Sequence, residues 1–150
     1  MGSIVLVEAQ GQRSESWGEL WVDMRVPATR TSVSDVRRAF GELPLPVHLL
    51  DIAQLLVSEL VTNSIRHAGL APNDQIRVTA EWSGTRLRVD VFDRAGVPVP
   101  HEVSGAIRPF PGAESGWGLY LVDRLAARWG RGRGRYWFEL EAHQPYPASA

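Results

Sequence analysis

Over residues 19–26 the chain alternates, with Leu20, Val22, Met24 and Val26 on one side and polar or aromatic residues on the other. A period of two predicts a half-buried strand, and Pro27 ends it. The period then lengthens. Thr31, Ser32 and Ser34 offer caps for a helix through Val36, Ala39, Phe40 and Leu43, closed by Pro44 and Pro46. A second, longer helix is predicted over residues 47–68, where Leu49, Ile52, Ala53, Leu56, Val57, Leu60, Val61 and Ile65 leave little of the girth polar; Gly69 is its expected stop. Alternation returns over Gln75–Trp82 and Arg86–Phe92, and Ser83, Gly84 and Thr85 between them have the composition of a hairpin turn.

Residues 94–115 break the pattern with four prolines and three glycines, a loop long enough to act as a lid. Gly116 opens a third helix through Leu119, Leu121, Val122, Leu125 and Ala126. An arginine-glycine turn over residues 131–135 leads into a last strand over residues 136–142. No segment repeats. The order β-α-α-β-β-loop-α-β predicts an α+β fold: a two-layer sandwich whose mainly antiparallel, mixed sheet carries helices on one face. The boundaries expected are a weakly structured segment 1–18, a domain over 19–142 and a tail 143–150.

Composition narrows the classes. A chain of 150 residues suits one domain with a full core. Having no cysteine, it offers no disulfide scaffold, zinc-thiolate site or thiol nucleophile. Seventeen acids against 16 arginines, with no lysine, leave a net charge of −1, too balanced for a protein that coats nucleic acid. The missing lysine also excludes a P-loop, so a phosphate would have to be met by arginine, backbone amides or metal. No apolar run approaches the ~18 residues of a membrane span, and the apolar residues 4–7 follow no basic segment; a cytoplasmic protein is expected. His48, His67, His101 and His143 lack the spacing of a zinc site. The Arg131–Arg135 cluster reads as solvated charge in a turn rather than as an RNA contact.

Three segments carry candidate chemistry. On the long helix Glu59, Asn63, Arg66 and His67 stand at i, i+4, i+7 and i+8 and share one face. Polar groups on so apolar a helix are either a solvated stripe, with Glu59 and Arg66 paired, or a site. Asp93 closes a strand before Arg94, Ala95 and Gly96. A carboxylate beside small residues suits recognition of an exocyclic amine, and suits an ordinary Asx turn as well. Gly116, Trp117, Gly118 and Leu119 open a helix after the loop, where free amides and the helix dipole attract anions.

In this order and spacing the three segments resemble the boxes of the histidine-kinase-like ATPases with the Bergerat nucleotide fold. Residues 59–68 resemble the N box, residues 93–96 the G1 box and residues 116–119 the G2 box. Within that family the chain is most similar, over about residues 21–140, to the short anti-sigma-factor serine/threonine kinases of bacteria. The resemblance implies ATP and Mg²⁺ as cofactors. It implies Glu59 as general base, Asn63 as Mg²⁺ ligand, Arg66 against phosphate and Asp93 on the adenine amine. Ala95 and Gly96 would flank the base, and Gly116, Trp117, Gly118 and Leu119 would hold the triphosphate, with residues 98–115 as lid. His67 matches the N box in a packing or hydrogen-bonding role. The implied partner is a sigma factor or an anti-sigma antagonist; a homodimer stays open, and neither nucleic acid nor membrane is implied. Ala95 stands where the family usually has glycine, and Gly134 and Arg135 stand where many relatives have a Lys-Thr or Gly-Thr pair. Those departures suit an alternative, a binding module that sequesters a protein with little or no phosphotransfer.

Overall fold

The computed structural model describes residues 4–5, 18–93, 117–132 and 134–143. It has the strands β1 (Ile4–Val5), β2 (Glu19–Pro27), β3 (Gln75–Trp82), β4 (Arg86–Phe92), β5 (Arg128–Gly132) and β6 (Arg135–Glu141). Its helices are α1 (Arg30–Gly41), α2 (Val47–His67) and α3 (Trp117–Leu125). The six strands form one sheet in the order β1-β2-β3-β4-β6-β5. Every described pairing is antiparallel.

Alternation along the strands makes two different faces. Val22, Met24 and Val26 of β2, Ile76, Val78 and Ala80 of β3, Leu87, Val89 and Val91 of β4 and Phe138 and Leu140 of β6 are buried beneath the helices. They meet Val36, Ala39 and Phe40 of α1 and Leu49, Ile52, Ala53, Leu56, Val57, Leu60 and Val61 of α2 in one core. Fully burying such a side chain contributes ~1.5–3 kcal/mol, which makes this layer the main source of stability. No described helix is long and apolar enough to cross a membrane.

The opposite face is a ladder of arginines, carboxylates and rings. Arg77 grips Asp23 with two hydrogen bonds of 2.9 Å. Arg88 bridges Asp90 and Glu139, each at 3.1 Å, and lies 4.2 Å over the Trp137 ring. Arg135 donates to Asp90 at 2.6 Å, and Arg77 and Arg135 both lie over the Phe92 ring. Asp90 and Glu139 are almost fully buried, which such partners make tolerable.

Four local readings are corrected. A bulge between Leu20 and Val22 shifts the register of β2, so Leu20 pairs with Glu81 on the ladder side while Trp21 packs against the core and stacks on Trp82 at 5.2 Å. The first helix starts earlier than its Ser/Thr cluster suggests: Thr29 is the N-cap, its hydroxyl 3.1 Å from those of Thr31 and Ser32. Residues 4–5 of the N-terminal segment pair with β2. Residues 131–135 are more than a turn, since Arg131 and Gly132 belong to β5 and Arg135 to β6. Strand β5 has no alternation to read, because Gly130 stands where the Trp137 indole lies; a Cβ there would sit 2.6 Å from the ring nitrogen.

Candidate functional site

Helix α2 presents its polar stripe beside α3. Leu56, Leu60 and Val61 are buried, Glu59 and Asn63 are half-buried, and Arg66 and His67 are exposed in the last turn. Ser58 and Thr62, on the wet side of the helix, donate their hydroxyls to the carbonyls of Gln54 and Ser58 at 2.6 and 2.8 Å. Their polarity is therefore spent within the helix, unlike that of Glu59 and Asn63.

Helix α3 meets this stripe at its first turn. Gly118 is buried, and a Cβ built on it would lie 2.6 Å from Glu59 Oε2. The carboxylate of the first segment thus rests against the backbone of the third, where the amides that open a helix concentrate positive potential. Asn63 lies one turn along α2 from Glu59, on the same face. Leu119 packs against the core, and Trp117 is braced edge-on against Tyr120 at 5.7 Å. Gly116, Ala95, Gly96 and the proposed lid lie outside the described residues.

Asp93 follows β4 and continues the alternation of Val89 and Val91 toward the helices, 7% exposed. Its N–H donates to the Gly134 carbonyl at 3.0 Å, tying the end of β4 to the turn before β6. Tyr136 pairs with Val91 and faces the same way. Burial pushes its phenol upward and the charge of Asp93 pushes it further, while Arg131, directly across β5, acts against both. The adenine-recognising candidate therefore shares its surroundings with a tyrosine and an arginine that the sequence reading placed only in a strand and a turn. Strand alternation is the signal that could have found Tyr136.

Ser64 is the other residue missed. It is fully buried on α2 beside Asn63, and its Oγ has no hydrogen-bond partner among the described residues. A buried hydroxyl left unpaired costs ~1–3 kcal/mol, so its orphan oxygen beside Asn63 favours a bound polar group or water there. A serine inside an apolar run gives no such hint. Arg135, by contrast, is drawn away: its guanidinium is engaged with Asp90 on the ladder face.

The donor set suits a nucleotide with its metal better than a metal held by protein alone. Among the described residues no three His, Asp, Glu or Cys side chains could hold a metal ion. Mg²⁺ in nucleotide sites takes one or two protein oxygens and keeps phosphates and waters for the rest, and the Asn63 amide oxygen can fill that part.

No curated protein matches the chain. The family model described as a histidine kinase-like ATPase domain matches residues 26–134, which spans α2, the end of β4 and the whole of α3. With most of its length inside that match, the chain belongs to the histidine kinase-like ATPase domains and is an ATP-binding domain.

Proposed function

We propose that this domain is a regulatory serine/threonine kinase of the anti-sigma-factor type, which transfers the ATP γ-phosphoryl group to a protein antagonist in the cytoplasm. The observation that carries the reading is the Glu59 carboxylate lying against the first turn of α3 at Gly118, with Asn63 one turn away. Bound ATP with Mg²⁺ supplies the phosphoryl group and offsets its charge. Glu59 takes the proton of the attacking hydroxyl as general base. Asn63 offers the metal its amide oxygen, Arg66 offsets charge on the phosphate, and His67 holds the end of the N box by packing or hydrogen bonding. Asp93 accepts from the adenine amine, with Ala95 and Gly96 beside the base. Gly116, Trp117, Gly118 and Leu119 present backbone to the phosphates.

Calorimetry and γ-labelled ATP with Mg²⁺ test this together. Wild type is expected to bind ATP and move label to water or to serine- and threonine-bearing protein. Glu59→Gln keeps binding and loses transfer by about 100-fold or more, the usual worth of a general base. Asn63→Ala and Asp93→Ala lose binding. Equal transfer by wild type and Glu59→Gln overturns the kinase.

A second reading has its own support. Where many relatives carry a Lys-Thr or Gly-Thr pair, Arg135 is committed to Asp90 on the far face of the sheet. A binding module that sequesters a sigma factor or an antagonist, with little or no transfer, fits that departure. Weak or no ATP binding by wild type, or ATP bound with no movement of label, favours it.

A further inference from the structure

The second glycine of the Gly116-Trp117-Gly118 run has a neighbour that phosphate binding does not explain. A Cβ at Gly118 would come within 2.6 Å of Glu59 Oε2, but only 3.4 Å of Glu59 Cβ and 3.5 Å of Cδ. The stem of Glu59 would therefore tolerate a methyl group, and the carboxylate would not. Among the described residues the Glu59 carboxylate has no hydrogen bond or ion pair to hold it. The neighbour shown for its Oε2 is the side of Gly118 that carries no Cβ.

We propose that Gly118 is a positioning residue for Glu59: its missing side chain is the socket in which the carboxylate sits, and the proton-accepting group is aimed by α3 rather than by α2 alone. This rests on Glu59 acting as general base. It also makes a claim that reading does not, namely that a methyl at position 118 acts through Glu59 and not through the nucleotide. A carboxylate swung out of the socket stays on the protein but no longer stands where the hydroxyl is delivered.

Gly118→Ala tests it in two backgrounds. Alanine is the better helix former, so the melting temperature is expected to hold or rise. Affinity for ATP with Mg²⁺ is expected within about threefold of wild type, while movement of γ-label falls about tenfold or more. Added to Glu59→Gln, the same substitution is expected to cost less than about twofold, since two residues acting as one unit are not additive. A full loss in both backgrounds, or a loss carried by nucleotide affinity, overturns the proposal. If Glu59→Gln turns over label like wild type, the catalytic reading has failed by itself. The socket is then decided by the ¹³C resonance of the Glu59 carboxyl carbon at fixed pH. Gly118→Ala is expected to move it, and an unmoved resonance overturns the socket.

Discussion

Single residues on the ladder face carry charges whose signs can be separated by pH. The Arg77 guanidinium holds the Asp23 carboxyl below its ordinary value, against a smaller opposing effect of burial. Its folded value is lower than its unfolded one, so the pair stabilises above about pH 4 and the contribution fades as pH falls through the folded value. Both partners are about a third exposed, which limits the gain to about 0.5–1 kcal/mol. Asp23→Asn is expected to lose that much in urea melts at pH 7, less in high salt, and to converge on wild type in acid. Glu81 has the opposite sign: burial and the charge of Asp90 raise its carboxyl, only partly opposed by Arg88 and the Gly18 N–H. Stability tied to it is full below the unfolded value near pH 4.3 and is lost as pH rises through the folded value, so Glu81→Gln is expected to gain stability at pH 7 and to match wild type in acid. Arg88 is the larger case, since its carboxylate partners are 10% and 3% exposed. Arg88→Met, which keeps the bulk over Trp137, is expected to cost about 3 kcal/mol by leaving those charges underpaired. None of this could be read from the sequence. Asp90, Arg88, Glu139 and Arg135 look like ordinary polar strand positions until the register sets them side by side.

Among the elements, those with a period were readable and those without were not. β3 and β4 came through with their boundaries because apolar residues mark every second position, and α2 because apolar positions recur at helical spacing along most of its 21 residues. β5 was missed for the reason that also makes it testable. Its sequence Arg-Trp-Gly-Arg-Gly keeps one apolar side chain, and Gly130 is vacant on the ladder side so that the Trp137 ring can lie across it. The ring atoms that a methyl would meet, at 2.6 to 2.9 Å, belong to a rigid buried indole rather than to a movable chain end. Gly130→Ala is expected to destabilise by about 1–3 kcal/mol and to change the near-ultraviolet circular dichroism of Trp137. The candidate site divides along the same line. Glu59, Asn63 and Gly118 stood out as departures from helical apolarity or as glycine pairs. Ser64 and Tyr136 did not, because a small hydroxyl in a core and an aromatic ring in a strand are both ordinary until burial and neighbours are known.

In the whole molecule, the sheet order is consecutive from β1 to β4 and then skips to β6. The interactions across that seam join residues far apart in the chain: Arg135 with Asp90 across 45 positions and Arg88 with Glu139 across 51. Closing so large a loop must precede any reward from the contacts it makes, so the hairpin of β3 and β4 is expected to form early and the seam late. Conservative substitutions at Val78 and Ala80 should then give φ values near those of a formed nucleus, and substitutions at Phe138 and Leu140 values near zero, in stopped-flow chevrons. The same closure seats β6 beside the end of β4, where Asp93 is tied to Gly134. The proposed adenine site is thus assembled by the last pairing of the sheet, and nucleotide bound there, engaging only the closed form, is expected to slow unfolding far more than it speeds folding.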